Sequence, residues 1–461
     1  MKRTTLATLF GFAALAAVAY SQAQSDIVIK LTGGTKKVIA LPDFRGAGAS
    51  AQYADLFNRT VFEDVQRSGM LTMAAKSFYP LNPPQQESDL RATPEPAAAR
   101  RGEQPQAPNC NGRCLPDWGG APLNANYVGF GYLAEQGGQL AAFGHLYNTA
   151  VPDVNGARVF RKLYNAPLTE DGARQMAHQY AADILQQFGV PSLAGSKIYY
   201  VSARSGSKEI WVMDFDGANQ KQITRFGSIT TMPAISPDGR RLAFTTYSKG
   251  QPQIMMYSTE TGRFIPFRNS QASMNATPSF TPDGQQVLYA STISGYAQIY
   301  IAALDGSSPH RLSNSRAIEV EPKVNPKTGT DMLFVSGRGG LQQIYRMNMD
   351  GADVARLTTG EGEASNPAWN PDGQHIAFAW TRGYAPGNWN IFVMDVASRE
   401  TVQLTHGQGR NENPTWAPDG RHLVFSSNRA GGSQIFTMLA DGTEVKQLTT
   451  QGSNTMPVWT K

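Results

Sequence analysis

Asn413-Pro414-Thr415-Trp416-Ala417-Pro418-Asp419-Gly420 decides the fold, because it is the last of five related segments. In each segment a short apolar run ends in a turn, where proline fixes φ and glycine adopts a backbone conformation that other residues avoid. The turns are Pro237-Asp238-Gly239, Pro282-Asp283-Gly284, the degenerate Pro326-Lys327-Thr328-Gly329, Pro371-Asp372-Gly373 and Pro418-Asp419-Gly420. Their prolines lie 45, 44, 45 and 47 residues apart. A period in this range is typical of four-stranded propeller blades.

Each copy predicts one blade of three apolar strands and a polar outer strand. The five complete copies run over residues 235–265, 280–312, 324–357, 369–404 and 413–449. A sixth blade is split, with strands at 198–202, 210–213 and 221–224 and its inner strand at the C-terminus, 456–460. Pairing the last strand with the first blade removes exposed sheet edges. We therefore predict an all-β six-bladed propeller closed by the C-terminal strand.

Composition agrees with two domains. The 461 residues are 41% apolar and include 45 glycines and 28 prolines, an excess that belongs to turn-rich β structure. We predict a mixed α/β domain over 24–192 and the propeller over 193–461. The formal net charge of +5 is too weak to indicate a nucleic-acid partner.

The first 23 residues read as a signal peptide. Lys2 and Arg3 precede an apolar run over 6–20, and small residues follow at the cleavage positions. The run is shorter than the about 20 residues that span a bilayer. No cysteine follows the run, so we do not expect a lipid-anchored mature terminus. We expect a soluble exported protein that begins near residue 24.

The remaining N-terminal region predicts an α/β domain. Strands are expected at 37–41, 126–133, 139–148 and 157–165. One helix carries Tyr53, Phe57, Val61 and Val65 on one face, and a second begins after Thr169. Between the first helix and the later strands, residues 81–122 form a Pro-rich insertion, expected to be ordered at its ends and flexible in its middle.

Cys110 and Cys114 are the only cysteines. In an oxidising compartment they are expected to form a local disulfide that staples a loop. A redox pair or half of a metal site is the alternative, but the spacing is not Cys-x-x-Cys and no His/Cys motif lies nearby.

Together these features resemble the TolB family of Tol–Pal systems. The resemblance rests on the signal peptide, the small α/β domain, the phrase Met-Asp-Phe-Asp-Gly-Ala-Asn at 213–219, the Ser/Thr-Pro-Asp-Gly repeats of the PD40 type and the C-terminal Pro-Val-Trp. It covers nearly the whole mature chain. Two departures are the long insertion and the sequence Asn325-Pro326-Lys327-Thr328-Gly329 in one central blade.

The resemblance implies a periplasmic scaffold rather than an enzyme. Such a scaffold binds Pal, the peptidoglycan-associated lipoprotein, through the propeller and TolA through the mature N-terminus, and it serves outer-membrane integrity and envelope constriction at cell division. It implies a monomer without a cofactor, held to the envelope through its partners, with other outer-membrane proteins as further partners and no nucleic acid. Whether a divalent ion occupies the propeller channel stays open.

The family's Pal contacts fall in the segments that precede the proline of each inner strand. Loops on a rigid scaffold are where binding usually occurs. Carried onto this chain, the predicted Pal-binding residues are Thr231, Met274, Asn275, Thr277, Val320, Glu321, Asn366, Asn413 and Thr455.

The mature N-terminal segment alternates like a β-strand. The predicted TolA-binding residues are Asp26, Ile27, Val28, Ile29, Lys30 and Leu31. Such a segment can pair with another chain's sheet edge or serve as an edge strand of its own domain.

The alternative reading is the propeller module of an exported peptidase or glycan-acting enzyme. The chain has no nucleophile elbow, His-Glu-x-x-His or phosphate loop, so we predict no catalytic residue. We expect the turn aspartates to bond local backbone N–H groups, and His375 and His422 to be surface residues at strand edges. A glycan-acting site would need opposed carboxylates at the channel mouth, for which the candidates are Glu319, Glu321, Glu361, Glu363 and Glu412.

Overall fold

A computed structural model describes residues 36–93 and 110–460 of the chain. They form two compact units that divide between Ala194 and Gly195. The predicted signal peptide and the predicted TolA-binding segment, 26–31, lie outside the described residues.

The N-terminal unit contains a mixed sheet with the strand order β3-β1-β4-β5-β6, and β2 pairs with β4. Strand β1 runs parallel to β3 and β4, whereas β4, β5 and β6 are antiparallel neighbours. The strands are β1 Lys37–Ala40, β2 Arg45–Gly46, β3 Leu71–Met73, β4 Tyr127–Gln136, β5 Gln139–Asn148 and β6 Arg158–Pro167.

Two long helices and the sheet form one core. They are α1, Ala54–Arg67, and α4, Glu170–Gln186. Their apolar faces bury Phe57 and Tyr180 among aliphatic side chains of the sheet. The Thr169 hydroxyl accepts a hydrogen bond from the Gly172 N–H at 3.1 Å, which caps α4. The predicted α/β fold of this region is confirmed.

The described ends of the insertion help to form a second core of this unit. Leu115 and Trp118 are buried with Val128, Phe130 and Tyr147 of β4 and β5. A disulfide joins Cys110 to Cys114, with 5.4 Å between their Cα atoms. The short helices are α2, Pro116–Gly119, α3, Val154–Ala157, and the 3-10 helices Gly48–Tyr53, Lys76–Phe78 and Glu87–Asp89.

The C-terminal unit consists of six four-stranded antiparallel sheets, which we call blades 1 to 6. Blade 1 has the order β30-β7-β8-β9, and the strands of blades 2 to 6 follow chain order from β10 to β29. Blade 1 comprises β30 Asn454–Thr460, β7 Lys197–Ser202, β8 Glu209–Asp214 and β9 Lys221–Gln222. Blade 2 comprises β10 Thr230–Ile235, β11 Arg241–Lys249, β12 Gln251–Ser258 and β13 Arg263–Ile265. Blade 3 comprises β14 Asn275–Phe280, β15 Gln286–Ser291, β16 Gln298–Ala303 and β17 His310–Arg311.

Blades 4 to 6 repeat the same arrangement. Blade 4 comprises β18 Glu319–Val324, β19 Asp331–Ser336, β20 Gln343–Asn348 and β21 Ala355–Arg356. Blade 5 comprises β22 Ala364–Trp369, β23 His375–Trp380, β24 Asn390–Asp395 and β25 Thr401–Gln403. Blade 6 comprises β26 Asn411–Trp416, β27 His422–Ser427, β28 Gln434–Leu439 and β29 Lys446–Gln447.

The C-terminal strand closes the ring. Strand β30 pairs antiparallel with β7 from Asn454 opposite Ser202 to Thr460 opposite Lys197. The indole N–H of Trp459 donates to the Ser196 hydroxyl at 2.9 Å, across the same junction. The predicted six-bladed propeller closed by its own C-terminus is confirmed.

The Pro-Asp-Gly turns behave as predicted, but two histidines do not. Gly373 and Gly420 adopt φ of 69° and 67°, and the Asp372 carboxylate accepts the Gln374 N–H at 2.7 Å. His375 and His422 were expected at the surface, yet their side chains are only 6 and 12% exposed. Each Nδ1 lies 2.6 Å from the turn aspartate three residues earlier, Asp372 or Asp419. The prediction of surface positions was wrong because the pairing with aspartate holds each imidazole over its own turn.

Candidate functional site

Each inner strand of the propeller contains the same bulge. Its pairing with the second strand shifts register in every blade, and the residue before the proline has a left-handed backbone. Residues other than glycine rarely adopt this conformation, and a following proline favours extended backbone instead. The six residues, which we call the entrance ring, have φ between 51° and 56°: Met232, Thr277, Glu321, Asn366, Asn413 and Met456.

The entrance ring lines the central channel. All six residues border one cavity, together with most of the prolines that follow them. The cavity lies toward the rim that carries the loops joining each outer strand to the next inner strand. We call this the entrance rim, and the opposite rim, which carries the Pro-Asp-Gly turns, the turn rim. Because a bulge re-aims a side chain, the repeat turns one residue of every blade toward the channel.

Hydrogen bonds connect the ring from blade to blade. The Glu321 N–H donates to the Thr277 hydroxyl at 3.2 Å, and the Asn366 N–H donates to the Glu321 carboxylate at 2.8 Å. The Asn413 N–H then donates to the Asn366 side-chain carbonyl at 3.2 Å. A bulge leaves a backbone N–H without a partner in its own ladder, and buried N–H groups need one. Here the preceding blade supplies the acceptor.

The ring is polar on one side and apolar on the other. Thr277, Glu321, Asn366 and Asn413 form the hydrogen-bonded side on blades 3 to 6, whereas blades 1 and 2 contribute the thioethers of Met456 and Met232. Burial raises the pKa of the Glu321 carboxyl, opposed by the hydrogen bond from the Asn366 N–H. Burial lowers the pKa of the Lys323 ammonium, opposed by the Glu321 charge. The channel therefore holds two ionisable groups on one blade.

The structure brings together four of the nine residues predicted to bind Pal. Thr277, Glu321, Asn366 and Asn413 belong to the entrance ring. Thr231, Val320 and Thr455 each precede a ring residue, and Asn275 begins β14. Only Met274 lies in a connecting loop, so the expectation that these residues occupy loops was wrong. Each inner strand begins two residues before its ring position, because the bulge lets the strand continue through it.

Several of the predicted residues have internal partners, among them Asn275 and Glu321. The Asn275 side chain is fully buried, accepts from the Ser270 hydroxyl at 2.6 Å and donates to the Ser270 carbonyl at 3.1 Å. The Glu321 carboxylate holds the backbone and side-chain amides of Asn366, the latter at 3.2 Å. Both side chains therefore position the entrance rim, whatever else they contact.

Sequence reasoning missed several channel residues, among them Met232, Met456 and Lys323. Met232 and Met456 occupy the same place before a proline as Thr277, and alignment of the six inner strands would have found them. Lys323 follows the proline of blade 4 and belongs to no local sequence motif. Its place in the channel depends on the other five blades.

The candidate carboxylates for a glycan-acting site have different surroundings. Glu319 is buried against Arg338, and its carboxylate accepts from the Ser336 hydroxyl at 3.0 Å. Glu412 pairs with Arg410 at the surface. Glu361 and Glu363 border a separate cavity between blades 4 and 5. Within residues 36–93 and 110–460, no group of three His, Cys, Asp or Glu side chains is placed to hold a metal ion.

The fold and the channel define the class of this chain: a six-bladed β-propeller protein with an N-terminal α/β unit. The family model described as the TolB beta propeller domain matches residues 186–380 and 359–461. The chain belongs to the TolB β-propeller family. None of the helices in the described ranges is long and apolar enough to cross a bilayer.

Relatives agree with the family assignment, and a solved structure agrees with the fold. Protein TolB homolog of Chlorobium chlorochromatii is 37% identical over 154 residues, 33% of this chain and 32% of that protein. Tol-Pal system protein TolB of Paramagnetospirillum magneticum is 30% identical over 278 residues, 56% of this chain and 53% of the relative. The alignments thus span about a third to a half of these relatives' length. The crystal structure of TolB from Acinetobacter baumannii has the same fold, with a TM-score of 0.72 at 22% identity over 92% of this chain and 97% of that one.

Proposed function

We propose that this chain is a periplasmic, non-enzymatic scaffold of a Tol–Pal system that binds Pal on the entrance rim of its propeller. The name of the Paramagnetospirillum magneticum relative, a Tol-Pal system protein, supports the system. The observation that carries the proposed binding surface is a set of exposed apolar side chains on one half of that rim.

This set, which we call the apolar rim, occupies blades 2, 3 and 4. Its members are 39 to 57% exposed: Ile229, Tyr247, Ile293, Tyr296, Ile318 and Leu341. Backbone hydrogen bonds bring the loops together, because the Tyr247 N–H donates to the Ile229 carbonyl and the Glu319 N–H donates to the Ala297 carbonyl. Extended exposed apolar surface on a propeller rim favours a protein partner over a small polar substrate.

The other half of the rim is polar. The residue before the inner strand is Ile229, Met274 or Ile318 in blades 2 to 4, but Glu363, Arg410 or Ser453 in blades 5, 6 and 1. The same backbone position thus changes from apolar to polar around one ring. A partner that contacts the whole rim must bind the two halves through different chemistry, which fixes its orientation.

The second partner rests on the family resemblance. We propose that residues 24–31 bind TolA as an extended segment, which adds a strand to a sheet of TolA. The signal peptide over 1–23 would deliver the protein to the periplasm. With both partners bound, the scaffold would serve outer-membrane integrity and envelope constriction at cell division.

Matched rim substitutions test the Pal site. Ile318→Asp places a charge on the apolar rim, and Ser453→Asp places the same charge at the equivalent position of blade 1. We expect Ile318→Asp and Met274→Glu to weaken binding of the acyl-free soluble domain of Pal by more than ten-fold, and Ser453→Asp to change it less than three-fold. Calorimetry measures each affinity. No binding by the wild-type chain, or equal losses in all variants, would contradict the proposal.

Deletion of residues 24–31 tests the TolA site. The truncated protein should lose binding to the C-terminal domain of TolA and keep Pal affinity within a few-fold. Retained TolA affinity would remove the segment from the proposed function.

A further inference from the structure

Below the entrance ring, a second ring of side chains lines the channel. It consists of the residues after the six prolines, which we call the inner ring: Ala234, Ser279, Lys323, Ala368, Thr415 and Val458. Five of them are small, and the sixth is a lysine. Lys323, Thr415 and Val458 border both the cavity toward the entrance rim and the cavity toward the turn rim. The small residues leave the room in which the Lys323 side chain extends.

The two channel charges differ in how their hydrogen-bonding capacity is used. The Glu321 carboxylate accepts from the Asn366 N–H and from the Asn366 side-chain amide. The Lys323 ammonium has three donors and makes no hydrogen bond or ion pair within 4.0 Å in the described part of the chain. Its backbone is fixed, since its carbonyl accepts from the Trp369 indole at 2.9 Å. The unused hydrogen-bonding capacity of the channel therefore consists of donors, which the Lys323 ammonium carries.

We infer that Lys323 receives a carboxylate of the protein that docks on the entrance rim. The inference rests on the proposed function and specifies its chemistry: an Asp or Glu side chain of Pal enters the ring and meets the ammonium. A lysine or arginine of the partner is disfavoured at this place. It would need the Glu321 carboxylate, which already accepts a hydrogen bond from Asn366.

The surroundings strengthen such a contact. Met232, Met456 and the ring prolines give the channel mostly apolar walls, and attraction between charges is larger where water is excluded. Burial also lowers the pKa of Lys323, so an incoming carboxylate stabilises its charged form. The five small inner-ring residues and the single lysine favour one carboxylate on the channel axis.

Substitution of Lys323 tests the inference against a control on the same blade. Lys323→Met keeps most of the length of the side chain and removes the charge, and Lys327→Met makes the same change at the turn rim. We expect Lys323→Met to weaken binding of soluble Pal at least ten-fold, Lys323→Arg and Lys327→Met to stay within three-fold of wild type, and all to unfold at similar urea concentrations. Lys323→Gln serves as the second neutral variant if the methionine variant fails to fold.

Salt and the partner's own residues separate a charge contact from a structural effect. Raising NaCl from about 0.05 to about 0.5 M should weaken wild-type binding more than Lys323→Met binding, because salt screens charge pairs. Among single Asp→Asn and Glu→Gln variants of Pal, one should weaken binding to wild type ten-fold and leave binding to Lys323→Met unchanged.

The outcomes distinguish the two proposals. Wild-type binding that survives in both neutral Lys323 variants within three-fold overturns the carboxylate contact and leaves the proposed function in place. The same conclusion follows if no Asp→Asn or Glu→Gln variant of Pal weakens binding in a way that depends on Lys323. Failure of the wild-type chain to bind Pal overturns both.

Discussion

Blades 4 and 6 have strands of identical length, six, six, six and two residues, yet they differ in the side chains of their turns and inner strands. Blade 6 carries the regular Pro-Asp-Gly turn and a neutral ring residue, Asn413. Blade 4 carries Lys327 in its turn and three charged residues on its inner strand: Glu319, Glu321 and Lys323. Strand length and turn geometry maintain the repeated backbone, and individual blades are free to specialise their side chains.

The largest expected difference concerns the first residue of the inner strand. In blade 4 the buried Glu319 carboxylate accepts from Arg338 Nε at 3.0 Å, whereas in blade 6 Asn411 accepts from Arg429 Nη2 at 2.8 Å. Breaking a buried ion pair is costly because one charge is left without its partner. We expect Glu319→Ala to lower the free energy of unfolding by about 3 kcal/mol and Asn411→Ala by about 1 kcal/mol. Urea denaturation measures both, and an equal or larger loss for Asn411→Ala would refute the distinction.

The turns give the next largest difference. The Asp419 side chain in blade 6 is 1% exposed and accepts from the Arg421 N–H at 2.9 Å and the His422 N–H at 3.1 Å. In blade 4 the Asn325 side-chain oxygen Oδ1 takes this role, accepting the Lys327 N–H at 3.0 Å, and the Lys327 side chain is exposed. We expect Asp419→Ala to cost about 2 kcal/mol and Lys327→Ala less than about 0.5 kcal/mol. Similar thermal shifts for the two variants would show that the turns do not differ in this way.

Blade 4 also constrains its neighbour. A Cβ on Gly373 of blade 5 would lie 2.5 Å from the Lys327 Cβ and 2.6 Å from the Asn325 Oδ1, whereas one on Gly284 has its nearest neighbour at 3.6 Å. Both glycines have nearly the same φ, 69° and 67°. Gly284→Ala therefore reports backbone strain, expected at about 1 kcal/mol, and Gly373→Ala should cost about 1 kcal/mol more through overpacking. Equal denaturation midpoints for the two variants would show that contact with blade 4 adds no cost at Gly373.

The smallest expected effect is a pH dependence of opposite sign in the two blades. Burial opposes ionisation of Asp419, but the charge and hydrogen bonds of His422 outweigh it, so the pKa of Asp419 lies below its ordinary value. Its contribution to stability is present above the unfolded-state pKa and is lost as pH falls through the folded-state pKa. The raised pKa of Glu321 acts in reverse. Its contribution is present below the unfolded-state pKa and is lost as pH rises through the folded-state pKa.

Neutral variants measure these two slopes. Asp419→Asn should be less stable than wild type near pH 7 and converge with it in acid. Glu321→Gln should gain stability relative to wild type as pH rises from about 4 to about 8. Urea midpoints recorded across this range test both, and parallel curves for wild type and Glu321→Gln would contradict the raised pKa.

The number of blades, their turns and the closure of the ring can be predicted from the amino-acid sequence alone. Those features follow from local geometry: a proline and a glycine at a fixed place in each copy, apolar strands between them, and a Pro-x-Trp strand at the C-terminus to complete the first blade. The family resemblance pointed to the place before each proline, and with it to Thr277, Glu321, Asn366 and Asn413, which the structure places in the entrance ring.

How those positions contact one another depends on the folded ring. The left-handed bulge makes the ring residues of neighbouring blades hydrogen-bond partners, although they lie 44 to 47 residues apart in the chain, as Glu321 does with Thr277 and Asn413 with Asn366. The Asp–His pairs of the turns and the place of Lys323 in the channel were likewise not predicted from the sequence. The physical reason is that a turn depends on neighbours in the chain, whereas a channel depends on six strands that meet in space, so the room around Lys323 is set by small residues on the other five blades.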